Sequence, residues 1–169
     1  MPSETKSSKP KASRSGAKQR KVASRLRSNS QPKDEVKLTQ QLRILVADDQ
    51  PYMRRAVKSL LESHQGWVVC GEASDGLEAV SKMAELQPDV VVMDMMMPNL
   101  NGLEATRRIR QEFPSSRILI LTLHDVPELV RLARIAGAKG LVLKSDSNRL
   151  LIAAVEHLGR AETFFSQPN

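Results

Sequence analysis

The 169-residue chain carries a net charge of +7, unevenly placed: residues 1–40 hold 11 Lys and Arg against 3 acidic residues, and residues 41–169 hold 15 against 16, giving +8 and −1. Basicity belongs to the first forty residues and gives no ground for reading the remainder as a nucleic-acid binder. The single cysteine, Cys70, excludes an internal disulfide, no apolar run approaches the roughly 20 residues of a membrane span, and the basic start lacks the apolar core of a secretory signal.

Residues 1–40 are rich in Ser, Lys, Arg and Pro, and after Met1 their large apolar residues are Val22, Leu26, Val36 and Leu38. So little apolar surface does not offset the entropy of ordering the segment, and a basic disordered tail is expected, with a short helix around 34–42 leading into the fold. From Arg43 the pattern becomes strand and helix in alternation. Arg43–Ala47 is apolar on both faces and ends at Asp48-Asp49, as a buried parallel strand would. Met53, Ala56, Val57, Leu60 and Leu61 mark one face of a helix, with Gly66 as a stop. Trp67–Glu72 is the second strand, and Cys70 within it reads as a buried structural thiol.

Asp75-Gly76-Leu77-Glu78 has the form of a capping box and opens a helix through Leu86. Val90–Met93 is the third strand, ending at Asp94. Asn101 and Glu104 repeat the cap, and that helix runs to about Phe113, with Pro114 beyond it. Arg117–Leu121 is the fourth strand, ending at Thr122; a helix follows Pro127 and stops near Gly137. Gly140–Leu143 is the fifth strand, ending at Lys144. Leu151, Ala154, Val155 and Leu158 line one face of the last helix. Five β-α units in series predict an α/β domain over 42–165, a doubly wound, five-stranded parallel sheet with helices on both faces, and a short C-terminal tail at 166–169.

The polar residues of this pattern fall at strand ends: Asp48 and Asp49, Asp94, Thr122, Lys144. Open α/β sheets bind ligands beyond the carboxyl ends of strands, where the strand order reverses. With the order 2-1-3-4-5, the first and third strands are neighbours there and the three aspartates converge. Three adjacent carboxylates stay ionised together only around a cation, and hard oxygen ligands suit Mg²⁺. A carboxylate is a competent nucleophile toward phosphorus, and a lysine and a hydroxyl can meet phosphoryl oxygens. Taken alone, Asp48-Asp49 before Pro51 reads better as a helix cap, and His124 reads as a loop histidine. The methionines at 93, 95, 96 and 97 read as packing and loop filling.

Leu45–Pro51, Pro88–Pro98 with Asn101-Gly102, Ile118–Thr122 and Gly137–Lys144 resemble, in order, the signatures of two-component response regulator receiver domains, closest to those of NarL/LuxR-type regulators. The resemblance implies a flavodoxin-like fold and a phosphorelay function. By position, Asp94 matches the phosphoacceptor, Asp49 a direct Mg²⁺ ligand and Asp48 an acid acting through water. The backbone carbonyl of Met96 matches the remaining protein ligand, Thr122 the switch hydroxyl and Lys144 the phosphate-contacting lysine. It further implies a sensor histidine kinase as donor, a downstream protein target, phosphorylation-dependent homodimerisation and a cytoplasmic location without membrane insertion. The implied role is that of a phosphoacceptor with self-phosphorylation and autodephosphorylation chemistry, rather than an enzyme.

Two departures stand out. Leu141 occupies a position, three before the lysine, where many receivers carry Tyr or Phe. No helix-turn-helix segment follows Phe164-Phe165, so either a stand-alone receiver or a regulator without its output domain is expected. The competing functions are nucleic-acid or membrane-surface binding through the basic tail, without aromatics for base stacking, and a flavin or phosphatase protein of similar architecture. The absence of a Gly-rich phosphate loop after the first strand argues against nucleotide binding.

Overall fold

The structure, a computed structural model, describes residues 41–166. The expected disorder of residues 1–40, the start of the helix expected around 34–42, and residues 167–169 lie outside the described residues. Leu42, where that helix was to end, already belongs to a strand.

The elements follow in the order β1 (Leu42–Ala47), α1 (Pro51–Glu62), β2 (Trp67–Ala73), α2 (Gly76–Leu86), β3 (Val90–Asp94), α3 (Gly102–Glu112), β4 (Ile118–Thr122), α4 (Pro127–Ala136) and β5 (Gly140–Leu143). A single 3₁₀ turn at Lys144–Asp146 leads into α5 (Ser147–Gly159), and a two-residue β6 (Phe164–Phe165) closes the described chain. The strands pair in the order β2-β1-β3-β4-β5-β6, each neighbouring pair parallel.

Five strands and their order agree with the sequence expectation; the sixth corrects it. Phe164 and Phe165 pair with Gly140 and Leu141, fixed by Phe164 N–H donating to Lys139 O and Ser166 N–H to Leu141 O, both at 2.9 Å. The strand can lie this close because Gly140 has no side chain: a Cβ there would fall 2.6 Å from Phe164 O. Ala161, at φ 65, makes the left-handed turn that brings the chain back from α5.

Alternation within the strands sends successive side chains to opposite faces. Ile44, Val46, Val92, Leu119 and Leu121 pack with Val57 and Leu61 of α1 and with Leu151, Val155 and Leu158 of α5. Leu45, Val91, Met93, Ile118 and Ile120 pack with Ala79 and Met83 of α2, Ala105 and Ile109 of α3 and Ala133 of α4. Each large aliphatic side chain so buried contributes about 1.5–3 kcal/mol on leaving water. Of the face expected on α1, Val57 and Leu61 are buried, Met53 and Leu60 are half-buried, and Ala56 is exposed.

Cys70 also departs from expectation. It is only partly buried, because β2 bulges there: Ile44 pairs with Val69, but Leu45 pairs with Gly71. The extra residue leaves the ladder, and its thiol lies 3.4 Å from Ile44 O.

Candidate functional site

Register delivers the site. Ala47 pairs with Met93, Asp94 with Leu121, and Thr122 with Leu143. The residues that end β1, β3, β4 and β5 therefore stand level at the carboxyl edge of the sheet. Asp48, Asp94, Thr122 and Lys144 are all buried there.

Asp48 and Asp49 are not the caps of α1. Gln50 holds the cap position without a side-chain cap bond, and Pro51 sets the first helical residue. The two aspartates are thereby left for the pocket. Asp48 uses both carboxylate oxygens: Oδ1 accepts from Gln50 N–H at 2.9 Å and Oδ2 from Lys144 Nζ at 2.8 Å. Its carbonyl oxygen accepts from the Arg54 guanidinium at 2.6 Å.

Lys144 reaches Asp94 Oδ2 as well, at 2.9 Å. Its side chain is 3% exposed, so one buried ammonium bridges two buried carboxylates. Burial alone would push the lysine pKa down; the bonds it donates to Asp48 and Asp94, with their negative charge, outweigh that and hold it above its ordinary value. Asp94 shifts upward too, chiefly through burial and further through the neighbouring Asp48 charge, with Lys144 opposing. Asp94 Oδ1 accepts a longer bond, 3.3 Å, from Met96 N–H.

The loop beyond Asp94 is held by close packing. Gly102 opens α3 directly against the Asp94 carbonyl, where any Cβ would overlap that oxygen, and its N–H donates to Met95 O at 2.9 Å. Met93, Met95 and Met97 are buried, as the packing reading expected, while Met96 is 60% exposed. Thr122 Oγ1 accepts from His124 N–H at 3.1 Å, leaving its own proton to donate. The His124 side chain is exposed and lines an apolar cavity of about 450 Å³ with Met95, Met96, Leu103, Val126 and Leu129. Sequence reasoning missed that cavity, because it draws on two loops distant in the chain.

The residues present fit a hard divalent cation. One carboxylate oxygen from each of Asp48, Asp49 and Asp94 lies within 4.8 Å of the others. Asp49 Oδ1 is buried and has no hydrogen-bond partner, a costly state that a cation would relieve. An all-oxygen donor set of this charge is the kind that Mg²⁺ takes.

The position expected to carry an aromatic ring is Leu141, and it is buried. A ring nevertheless stands beside it: Phe165 pairs with Leu141 from β6 and packs into the same apolar layer. The Arg134 guanidinium of α4 lies 3.7 Å above that ring.

Comparison with known proteins agrees with this geometry. Residues 44–156 match the response regulator receiver domain family. The chain is 38% identical over 124 residues to the oxygen regulatory protein NreC of Staphylococcus carnosus, covering 73% of this chain and 57% of that protein. It is 34% identical over 125 residues to a nitrate/nitrite response regulator protein homolog of Haemophilus influenzae, covering 74% and 60%. It thus spans a little over half the length of these curated relatives. Among solved structures, a LuxR-family two-component response regulator from Aurantimonas sp. superposes with a TM-score of 0.71 at 39% identity, over 73% of this chain and 89% of that one. The response regulator domain of Thermotoga maritima CheB does so with a TM-score of 0.65 at 33% identity, over 72% and 96%. Strand order, the acidic edge with its buried lysine, and the match over residues 44–156 converge, and the chain belongs to the response regulator receiver domain family, with relatives among the NarL/LuxR-type regulators.

Proposed function

We propose that Asp94 accepts a phosphoryl group from a sensor histidine kinase, and that the phosphorylated domain changes its contacts with a partner protein. The observation that carries this reading is the single buried ammonium of Lys144 at 2.8 and 2.9 Å from Asp48 and Asp94. It sets a cation directly against Asp94, at the mouth of a pocket whose remaining acid, Asp49, has a bare oxygen.

The chemistry balances without a general base. A carboxylate oxygen of Asp94 attacks phosphorus, the P–N bond of the phosphohistidine donor breaks, and its electron pair stays on the imidazole nitrogen. Lys144 meets one of the phosphoryl oxygens. Thr122, whose hydroxyl proton is uncommitted, turns to donate to another. Asp48, Asp49, Asp94 and the Met96 carbonyl would hold Mg²⁺, which supplies charge compensation for the transferring oxygens when bound. The chain acts in this reading as a stoichiometric acceptor, not as a turnover enzyme.

Incubation with acetyl phosphate and Mg²⁺, followed by phosphate-affinity electrophoresis, tests it. Wild-type protein gains a retarded, hydroxylamine-labile species, and Asp94→Asn gains none. Labelling of Asp94→Asn at the wild-type level removes Asp94 from the acceptor role.

A further inference from the structure

The acidic pocket has a brace on its outer side. Arg54 stands in the first turn of α1, with its guanidinium 2.6 Å from the carbonyl oxygen of Asp48 and its Nε 3.3 Å from Glu72 Oε2 on β2. Lys58, one turn further along α1, holds the other oxygen of Glu72 at 2.8 Å. The Glu72 carboxyl is held below its ordinary value chiefly by Lys58 and then by Arg54, and at neutral pH it is a carboxylate with or without Lys58. The Glu72 backbone carbonyl in turn accepts from Lys82 of α2. The brace therefore runs from a rigid strand to the one turn that carries two of the three acids.

The placement matters because the sheet ladder ends there. Ala47 is the last β1 residue paired with β2, and Asp48 N–H makes the final bond, 3.1 Å to Ala73 O. The next peptide unit contains the Asp48 carbonyl and the Asp49 nitrogen in one plane. A hydrogen bond to that carbonyl fixes the plane. Fixing the plane fixes the base from which the Asp49 side chain projects, and Asp49 Oδ1 is a buried oxygen without a partner.

We propose that Arg54, anchored by Glu72, is a positioning residue for the divalent-cation site, setting the Asp48–Asp49 peptide so that the bare Asp49 oxygen faces the ion. The inference rests on the metal-site reading above. Mg²⁺ tolerates little departure from octahedral geometry, so a loosened ligand is felt as lost affinity. Outer partners of metal ligands typically account for about 10- to 100-fold in affinity. Lysine is no equal substitute, since one ammonium cannot span the carbonyl and Glu72 as the planar fork does.

Calorimetric titration of Mg²⁺ alone into the full chain, paired with thermal unfolding, tests this. Arg54→Ala is expected to weaken Mg²⁺ binding by about tenfold or more, and Arg54→Lys to restore part of that loss. Glu72→Gln frees Arg54 without removing it and is expected to lose several-fold, which keeps the test open should Arg54→Ala fold poorly. Lys58→Ala breaks an ion pair to the same Glu72 but touches nothing in the pocket; it lowers the unfolding temperature and leaves Mg²⁺ affinity within about twofold. Wild-type affinity in folded Arg54→Ala or Glu72→Gln, or an equal loss in Lys58→Ala, overturns the positioning role. A wild-type chain that takes up no Mg²⁺ at millimolar concentration overturns the metal reading beneath it, and the positioning role falls with it.

Discussion

Lys144 is the residue on which the resting pocket depends. It faces two carboxylates in a site with almost no solvent, and a charge left alone in such a place is expensive to keep. Removing the ammonium leaves Asp48 and Asp94 facing each other. Lys144→Ala is therefore expected to destabilise the fold by about 3 kcal/mol in chelator, read from urea unfolding. Part of the loss is covered if Asp94, already shifted upward by burial, takes a proton. A divalent cation substitutes for the missing charge, so millimolar Mg²⁺ should stabilise Lys144→Ala more than it stabilises wild type. Equal stabilisation of both by Mg²⁺ would show that the cation does not share the pocket with the lysine. Asp94, Asp49 and Lys144 were legible in the sequence because each ends a recognisable apolar run. The Arg54 bond was not, because its acceptor is a backbone carbonyl and any residue supplies one.

Among the elements, α2 shows how a cap written in the sequence becomes a titrating group. Asp75 accepts from Glu78 N–H at 2.8 Å, and Glu78 reaches back to Ser74 N–H at 2.7 Å. Lys82 first and Ser74 next hold the Glu78 carboxyl at about 2, against an ordinary 4.5. A carboxyl depressed by folding stabilises the native state above its unfolded pKa and loses that contribution as pH falls through the folded one. The side chain is 38% exposed, so solvent screens the pair and its share is small. Glu78→Gln should lose about 0.5 kcal/mol at pH 7, and the difference from wild type should close between pH 4.5 and about 2. A difference that stays constant over that window would assign the loss to packing.

The sixth strand illustrates the opposite case. Two adjacent phenylalanines after a turn have no period to read, so β6 became visible only once Gly140 had left room for it. Gly140→Ala places a Cβ 2.6 Å from Phe164 O and 2.7 Å from Leu119 Cδ1. It is expected to destabilise the chain by about 1–3 kcal/mol. It should also abolish hydrogen-exchange protection at the Phe164 and Ser166 amides while Leu119 and Ile120 stay protected. Retained protection at both amides would mean that the strand docks without this close approach.

At the scale of the molecule, the alternating β-α pattern and the positive charge lie in different parts of the sequence. The five β-α units were readable because parallel strands buried on both faces leave continuous apolar runs, and each run here stops at a polar residue. The positive charge contributes nothing to that pattern: residues 41–169 sum to −1, and +8 resides in residues 1–40. The two halves of the charge should therefore separate by experiment. A chain starting at Gln41 is expected to keep labelling at Asp94 and to lose any retention on duplex DNA, since backbone binding scales with the phosphates neutralised. For the whole chain, retention should fall steeply with salt, by orders of magnitude between about 50 and 200 mM if six or more basic residues engage phosphates. Retention that survives deletion of residues 1–40 would place nucleic-acid contacts on the receiver itself. Equal mobility of both chains at low salt would leave the basic segment without a nucleic-acid role and return the output to protein contacts alone.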